Sequence, residues 1–258
     1  MKSPRETAAF EDYAHWYNAF NQGKDYAGEV AYLRRKLLPW QPAPRSWLDI
    51  GCGTGEHLAV LKSQGLSTEG VDASPAMIGQ ARQAHPNIPF HVAKAEDFRL
   101  QGDQSVISML FHVMSYQTTD TAVARIAENV SLHLGMDGVF VFDFWHTAGV
   151  LNDPPGVRIR ETRLGERALF RIAHPIEDRA QSRVDIRYEF RWDASTGPLV
   201  HEEHHSMRHF TRDHLVQLLE RAGMNAVACE GWAMDRPLQA TDWYGLVCAR
   251  KQGRSWTS

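Results

Sequence analysis

The sequence has few of the features that mark secreted, membrane or nucleic-acid-binding proteins. Its 258 residues include three cysteines, which are widely spaced and form no CxxC pair, so a reducing compartment is expected. No apolar run approaches the roughly 20 residues of a membrane span, and the first residues lack the apolar core of a signal peptide. The net charge is −3 and no Lys/Arg run occurs, which argues against nucleic-acid binding. We therefore expect a cytoplasmic protein with no membrane or nucleic-acid partner.

What the sequence does contain is a stretch of three alternating glycines, Gly51, Gly53 and Gly55. A short apolar run precedes them, and a helical pattern of apolar residues begins at Leu58. This order predicts a strand, a tight turn and a helix, the first βα unit of an open α/β sheet. Ligands of such sheets bind at the carboxyl ends of the strands. The chain length suits one α/β domain with an additional element.

Two carboxylates beside the glycines indicate the type of ligand. Glu56 stands where a dinucleotide-binding GxGxxG motif has glycine, and it puts negative charge where a pyrophosphate would bind. Asp49 adds a second negative charge, so an ammonium or sulfonium group is favoured. Asp72 ends the next strand, about 20 residues after the glycines, where a carboxylate accepts both hydroxyls of a ribose. A cation joined to a ribose indicates S-adenosylmethionine, and a dinucleotide enzyme is the alternative.

The segments Leu48–Gly55 (LDIGCGTG) and Val71–Ser74 (VDAS) resemble the class I S-adenosylmethionine-dependent methyltransferases. The resemblance implies a doubly wound, seven-stranded, Rossmann-like α/β sheet and S-adenosyl-L-methionine as cofactor. Residues 95–98 resemble the adenine-contacting turn of that family, although Lys94 stands where many members carry an acid. The predicted cofactor contacts are Tyr13, Tyr17, Tyr26, Asp49, Gly51, Gly53, Gly55, Asp72, Ala73, Met77, Ala95, Glu96 and Leu110.

The N-terminal region is aromatic at helical spacing over residues 10–20. This pattern predicts either a helix packed on the core or a lid whose tyrosines cover the sulfonium by cation–π attraction. A second helix follows, with Asp25 as its N-cap, and Ser74 and Thr211 are predicted to cap later helices. The tyrosine-rich segment followed by Lys24-Asp25-Tyr26 resembles the N-terminal region of methyltransferases that modify nucleotide-linked amino sugars.

Two segments at the ends of central strands are predicted to hold the methyl acceptor. One follows a strand at 106–110, and the other follows a strand at 138–143. Residues just beyond such strands face the ligand crevice, although packing inside the core is the alternative for each. A histidine there would act as the base for a hydroxyl acceptor, whereas an amine only needs to be deprotonated. The predicted catalytic residues are His112, Tyr116 and His146, and the predicted substrate contacts are Asp143, Trp145, Glu203 and His205.

From residue 154 to 210 the pattern becomes one of alternating strands separated by turn signals. It predicts an antiparallel sheet inserted into the α/β core. His201, His205 and His209 share one face of the last strand with Glu203, but four-residue steps span about 13 Å, too far for one metal ion. No metal is predicted, and these side chains are expected to be partly exposed or to contact substrate. The predicted division is a helical lid at 1–44, a cofactor-binding core at 45–153 and 211–250, and the inserted sheet at 154–210.

Together these features predict a methyltransferase for a small polar acceptor, a nucleotide-linked or glycan sugar that is N- or O-methylated. Two alternatives stay open: an N-methyltransferase for an amino acid or small heterocycle, and a non-catalytic S-adenosylmethionine-binding protein. The chain is expected to be a monomer or a homodimer.

Overall fold

The glycine-rich stretch connects a buried strand to a helix, as the sequence predicts. The computed structural model describes residues 17, 19–21, 23–165, 167–194 and 197–251. Its helices are α1 (Tyr26–Leu37), α2 (Glu56–Ser63), α3 (Pro75–Ala84), α4 (Asp120–His133), α5 (Thr147–Asn152) and α6 (Arg212–Arg221). Its strands are β1 (Ser46–Ile50), β2 (Ser67–Asp72), β3 (Phe90–Val92), β4 (Gln104–Met109), β5 (Leu134–His146), β6 (Arg158–Leu164), β7 (Arg167–Asp178), β8 (Arg183–Ala194), β9 (Gly197–Phe210), β10 (Met224–Gly231) and β11 (Tyr244–Lys251).

Seven of these strands form the central sheet, in the order β3-β2-β1-β4-β5-β11-β10. Strands β1 to β5 pair in parallel, and β11 is antiparallel to both β5 and β10. The strand order reverses between β1 and β4, which makes the carboxyl ends of these two strands the expected place for a ligand. The predicted doubly wound, seven-stranded α/β sheet is confirmed.

The residues of the central strands alternate between two cores, as expected for a sheet covered on both faces. Phe140 and Phe142 of β5 are fully buried in the core that also contains apolar residues of α4 and α6. Val139 and Val141 lie in the other core, with apolar residues of α1, α2 and α3. Both faces of the sheet are therefore covered by helices beneath the edge where the glycine loop lies.

The predicted helix N-caps are confirmed by their hydrogen bonds. Asp25 Oδ1 accepts from Gly28 N at 2.8 Å, Ser74 Oγ accepts from Met77 N at 3.2 Å, and Thr211 Oγ1 accepts from His214 N at 3.2 Å. Each side chain satisfies one backbone donor that the first helical turn leaves unpaired. Local chemistry of one residue therefore decides where α1, α3 and α6 begin.

Strand β5 is longer than the 138–143 that the sequence predicts. It extends to His146 because its end pairs with two later strands, Trp145 with Tyr244 of β11 and His146 with Phe210 of β9. Sequence periodicity does not contain these long-range partners. Trp145 and His146 therefore lie inside a strand, rather than in a loop after it.

The inserted antiparallel sheet consists of β6, β7, β8 and β9, paired in that order. Strand β9 joins it to the central sheet through the short parallel pair with β5. Of the predicted lid helix, Tyr17, Ala19 and Phe20 have helical conformation, while Tyr13 lies outside the described residues. Among the residues that the structure describes, no helix is both long and apolar enough to cross a membrane.

Candidate active site

A cavity of about 990 Å³ lies beyond the carboxyl ends of β1 and β4, between the glycine loop and the inserted sheet. The residues of the central sheet line one side, and residues of β6 to β9 line the other. The sequence-predicted residues that line it are Tyr17, Gly51, Gly53, Asp72, Ala73, Met77, Ala95, Glu96, His112, Tyr116, Trp145 and His205. Both predicted halves of the site, for cofactor and for acceptor, thus share one cavity.

The three glycines of the loop serve different purposes. All have positive φ angles, 72°, 54° and 83° in chain order, which residues with a Cβ rarely adopt. A Cβ on Gly51 would lie 2.5 Å from Val113, and one on Gly55 would lie 2.6 Å from the Phe90 ring. At Gly53 the nearest atom would be 4.0 Å away, on Tyr17. Gly53 therefore opens its backbone to a ligand, whereas Gly55 permits packing on β3 and does not line the cavity.

The Asp72 carboxylate is held in place by two backbone amides. Its Oδ2 accepts from Gly53 N at 2.9 Å, and its Oδ1 accepts from Ser74 N at 2.8 Å. Burial raises the pKa of this carboxyl group. Each carboxylate oxygen keeps a second lone pair, so both can still accept a hydroxyl from the cavity. This arrangement fits the ribose of S-adenosylmethionine.

A smaller cleft beside the glycine loop is lined by Asp49, Tyr26 and Leu110. Asp49 is buried and accepts from Ser108 Oγ at 2.6 Å, and Ser108 Oγ in turn accepts from Trp47 Nε1 at 2.7 Å. Burial raises the pKa of Asp49 to about 6. The group is therefore largely ionised at neutral pH and offers a fixed negative charge to a cation.

Lys24 is a functional candidate that sequence reasoning missed. Its Nζ lies 3.2 Å from Glu29 Oε2 and 3.7 Å from the centroid of the Phe111 ring, which lines both the cavity and the smaller cleft. Burial lowers the pKa of Lys24, against the influence of the nearby carboxylates. The methionine end of S-adenosylmethionine carries a carboxylate and an ammonium. The ammonium of Lys24 is complementary to the first, and the carboxylate of Asp49 is complementary to the second. The signal available in the sequence was the position of Lys24 directly before the cap of α1.

His112 follows β4 in a strained turn and is oriented by Asp143. Phe111 and His112 both have positive φ angles, 63° and 66°, which are costly for residues with a Cβ. Asp143 accepts from His112 N at 3.0 and 3.1 Å, and its Oδ2 lies 2.5 Å from Nδ1, although that pair is not aligned for a hydrogen bond. This carboxylate favours the tautomer with the proton on Nδ1, which leaves the Nε2 lone pair as the acceptor. The ring stacks on Tyr244 at 4.5 Å.

Three residues predicted for the acceptor site do not line the cavity: Asp143, His146 and Glu203. Asp143 is only 1% exposed and lies behind His112, so it positions that residue instead of facing the cavity. His146 is buried, with Nδ1 3.1 Å from Asp242 O, and burial lowers its pKa. Because neighbouring residues of a strand point to opposite faces, the cavity receives Trp145 and not His146.

Tyr116, His205 and Glu203 form a chain of contacts that leads away from the cavity. Tyr116 Oη lies 2.8 Å from His205 Nδ1, and His205 Nε2 lies 3.0 Å from Glu203 Oε2. The expectation of partly exposed side chains is wrong for His205 and His209, because His205 packs against the Tyr116 and Tyr188 rings and His209 is buried beside Thr147. The alternative expectation, a substrate contact, stays a prediction for His205. Glu203 is buried too and does not line the cavity. Within the described residues, no three His, Cys, Asp or Glu side chains are placed to hold a metal ion.

Three arginines of the inserted sheet also line the cavity, and none was predicted. They are Arg158 and Arg160 of β6 and Arg171 of β7. Arg160 donates to Phe20 O at 3.0 Å, and the Arg171 guanidinium lies 5.1 Å from the centroid of the Tyr188 ring. The alternation of Arg158 and Arg160 on one face was readable from the sequence. Guanidinium groups are the natural partners of phosphate oxygens.

Comparisons with known proteins agree with this geometry. A family model described as a methyltransferase domain matches residues 22–228. The chain is 31% identical over 220 residues to a dTDP-4-amino-2,3,4,6-tetradeoxy-D-glucose N,N-dimethyltransferase of Saccharopolyspora spinosa, covering 83% of this chain and 86% of that protein. It is 28% identical to a dTDP-3-amino-3,6-dideoxy-alpha-D-glucopyranose N,N-dimethyltransferase of Streptomyces fradiae, covering 87% and 88%.

A solved structure with a similar fold is that of a sugar N-methyltransferase from Streptoalloteichus sp ATCC 53650. Its TM-score is 0.82 at 25% sequence identity, and 98% of each chain is covered. A second one, an S-adenosylmethionine-dependent methyltransferase from Clostridium acetobutylicum ATCC 824, has a TM-score of 0.78 at 17% identity and covers 94% of this chain. At 17% identity, the second comparison supports the fold alone.

Proposed function

Because the chain belongs to the methyltransferase domain family and is an S-adenosylmethionine-dependent methyltransferase, we propose that its acceptor is the amino group of a nucleotide-linked sugar. One observation supports the proposal above all. Asp72, a carboxylate placed to bind a ribose, lines the same cavity as three arginines of the inserted sheet, which we call the arginine wall. An acceptor with a diphosphate on one end and an amine on the other would fit between these two sides. The curated relatives named above act on dTDP-linked amino sugars.

For the cofactor, we assign the ribose to Asp72 and the adenine to the neighbourhood of Met77, Ala95 and Glu96. We assign the methionine end to Asp49, which lines the smaller cleft, and to Lys24, whose Nζ lies 3.7 Å from the centroid of the Phe111 ring of that cleft. The cofactor supplies an activated methyl group on a sulfonium sulfur. The protein must therefore align the acceptor in line with the C–S bond and keep water away, which is a large part of such catalysis.

For the acceptor, we assign the diphosphate to the arginine wall of Arg158, Arg160 and Arg171. Bidentate contacts between guanidinium and phosphate combine charge with orientation. Arg158 and Arg160 are exposed, Arg171 is half-buried, and all three line the cavity. A free amino acid or a small heterocycle, the alternative acceptors, would carry no diphosphate for these cations to bind. The wall therefore favours the nucleotide-linked acceptor over both alternatives.

For the chemistry, we assign His112 to the acceptor nitrogen. A sugar amine is largely protonated at neutral pH, and only its free base has the lone pair that attacks the methyl carbon. The Asp143 carboxylate, 2.5 Å from Nδ1, favours the proton on that nitrogen, so Nε2 of His112 can take the proton of the incoming ammonium. A non-catalytic binding protein would have no use for this strained and oriented histidine.

We also propose that the predicted division of the chain is functional, with residues 45–153 and 211–250 binding the cofactor and residues 154–210 selecting the acceptor. The lid at 1–44 would then close the cofactor side. The oligomeric state and the cytoplasmic location stay predictions of the sequence.

The test is a methylation assay with labelled S-adenosylmethionine and a panel of dTDP-linked 3-amino and 4-amino sugars, read by mass spectrometry. The same amino sugars without the nucleotide form the second arm. The double variant Arg158→Ala/Arg160→Ala is expected to raise KM for the nucleotide-linked acceptor roughly 10- to 100-fold, as loss of one or two charged hydrogen bonds predicts. Its KM for the free amino sugar should stay unchanged.

Arg187→Ala is the matched control, because Arg187 lies on β8 and pairs with Glu189 and Glu202 outside the cavity. It should leave both KM values unchanged. Failure to methylate any sugar amine, with turnover of an amino acid or heterocycle instead, would refute the proposal. Cofactor binding without turnover of any nucleotide-linked sugar amine would refute it as well.

A further inference from the structure

We propose that Tyr116, His205 and Glu203 form a proton relay that removes the proton left on the acceptor nitrogen after methyl transfer. The inference rests on the proposed function, since it concerns an amine acceptor. It assigns to Tyr116 direct contact with the acceptor, and to His205 and Glu203 the reception and stabilisation of the proton.

The relay begins at the cavity and ends in the protein interior. Tyr116 and His205 both line the cavity, and Tyr116 Oη lies 2.8 Å from His205 Nδ1. On the far side of the ring, His205 Nε2 lies 3.0 Å from Glu203 Oε2. The His205 and Glu203 side chains are 1% and 3% exposed, so water does not compete with these contacts.

The contacts also determine which nitrogen of His205 carries the proton. An ionised carboxylate only accepts hydrogen bonds, so Glu203 requires the proton on Nε2. Nδ1 of the neutral ring is then an acceptor, and the Tyr116 hydroxyl donates to it. This order of donor and acceptor is that of a hydroxyl, histidine and carboxylate arranged for proton transfer.

The surroundings of the relay are mostly apolar, with few other charges. Ile186 and Met207 pack around Tyr116 in the same buried cluster. The Tyr188 ring of β8 meets the His205 ring edge-on at 4.9 Å, and the Arg171 guanidinium of β7 lies over that same Tyr188 ring. His201 Nε2 lies 3.7 Å from Glu203 Oε1. Within the described residues, the titratable and charged groups near the relay include these, and an apolar environment strengthens its hydrogen bonds.

The relay is needed because methyl transfer leaves an ammonium. The amine lone pair forms the new N–C bond, the C–S bond breaks, and its electron pair stays on sulfur. The product nitrogen now carries one proton too many for a second attack. Tyr116 Oη takes that proton while its own proton passes to His205 Nδ1, which gives an imidazolium beside the Glu203 carboxylate. After product release the imidazolium returns the proton through Tyr116 to solvent.

The roles of the two histidines are therefore different. His112 takes a proton from the acceptor that enters, whereas the relay takes the proton that the reaction leaves. An enzyme with both can methylate one nitrogen twice without waiting for the product to exchange its proton with bulk water. A second methylation of the same nitrogen would therefore depend on the relay, whereas the first would not.

The test compares Tyr116→Phe, His205→Gln and Glu203→Gln with the wild type in single-turnover methylation of the dTDP-linked amine. The ratio of the second to the first methylation rate is expected to fall roughly 10²-fold at pH 7, the usual contribution of one proton acceptor. Raising the pH should restore the second step, because hydroxide then removes the proton. A merely structural role would slow both steps equally at every pH.

His209→Gln is the matched control, since His209 is buried on the same face of β9 but contacts Thr147 Oγ1 at 2.9 Å. It should change neither step. Thermal unfolding and binding of S-adenosylhomocysteine verify that each variant is folded. Relay variants with an unchanged second methylation would overturn the relay while the proposed function stands.

A second measurement decides the relay even if the wild type methylates no sugar amine. Nitrogen NMR of the histidine rings in the ligand-free protein should show the proton of neutral His205 on Nε2, and Tyr116→Phe should shift the Nδ1 resonance alone. A proton on Nδ1 would overturn the relay, because that nitrogen could not accept from Tyr116.

Discussion

At the scale of single residues, the buried carboxylate of Asp49 lowers the free energy of unfolding, while its negative charge favours binding of a cationic ligand. Burial raises its folded-state pKa from 3.8 to about 6, so the folded protein holds the proton more tightly than the unfolded chain does. Its contribution therefore becomes more unfavourable as pH rises from about 4 to 6 and stays unfavourable above that. The cost at neutral pH is about 3 kcal/mol, since each pKa unit corresponds to about 1.4 kcal/mol.

Asp49→Asn is accordingly expected to raise the free energy of unfolding at pH 7 by about 2–3 kcal/mol, because the amide oxygen can still accept from Ser108 without burying a charge. The same change should weaken binding of S-adenosylmethionine, whose cation loses its counter-charge. Urea unfolding at pH 4 and pH 7 and calorimetric titration measure the two effects. The exposed Asp103→Asn should change neither, and a less stable Asp49→Asn would contradict the argument.

Asp72 should carry much of the affinity for the cofactor. Asp72→Ala removes the acceptor of two ribose hydroxyls, which is expected to cost about 2–4 kcal/mol, or roughly 30- to 1000-fold in Kd. Titration with S-adenosylhomocysteine measures it. Glu69→Ala is the control, because Glu69 lies on the same strand but pairs with His91. Equal affinity of wild type and Asp72→Ala would remove Asp72 from the site.

The strained turn at His112 predicts a difference between two variants that both lack the ring. His112 has a φ of 66°, which glycine adopts freely and alanine does not. His112→Gly should therefore be more stable than His112→Ala by about 1 kcal/mol in urea unfolding. Both should lose turnover alike and keep cofactor affinity. Equal stability of the two variants would show that the turn relaxes once the ring is removed.

Single residues were predictable where the chemistry is local in the chain. Asp49, the glycines and Asp72 lie within one βαβ unit, and their spacing alone places them at one edge of the sheet. The relay was not predictable in this way, since Tyr116 and His205 are 89 positions apart and meet only through the packing of β9 beside the turn after β4. The same holds for Asp143, whose contact with His112 depends on neighbouring strands.

Among helices and strands, the short helix α5 depends on a close approach at Gly149. A Cβ there would lie 2.0 Å from the Asp242 carbonyl oxygen, in the segment that also holds His146. Gly149→Ala is expected to destabilise the protein by about 2–4 kcal/mol, because backbone must move. Gly79→Ala is the control: it lies in α3 with nothing within 4 Å and should be neutral or stabilising by about 0.5–1 kcal/mol. Urea unfolding of both variants measures the contrast.

Element boundaries were predictable where a side chain sets them and not where a distant strand does. Asp25, Ser74 and Thr211 each start a helix through their own hydrogen bond, so one residue was enough. The end of β5 depends on β9 and β11, and this extension decided that Trp145 and not His146 faces the cavity. An error of three residues at a strand end thus changed the assignment of a candidate base.

At the scale of the entire chain, residues of both sheets line the cavity, and the described backbone pairing between the two sheets is short. The parallel pairing of β5 with β9 covers two residue pairs, while Tyr116 and His205 connect the turn after β4 to the inserted sheet by side chains. A ligand that touches both sides therefore adds contacts that the protein alone lacks. The free energy of unfolding should therefore rise when a ligand that contacts both sheets binds.

Binding of S-adenosylhomocysteine should stabilise the chain by mass action, by about 2.7 kcal/mol at a concentration of 100 times Kd. For a protein of this size each kcal/mol raises Tm by about 2–4 °C, so a shift of roughly 5–10 °C is expected in a thermal scan. Asp72→Ala at the same ligand concentration should show little shift. A nicotinamide dinucleotide should show none, because Glu56 begins α2 with a negative charge where its pyrophosphate would lie. A larger shift with the dinucleotide would contradict the family assignment, since charge at the start of α2 is what separates the two ligands.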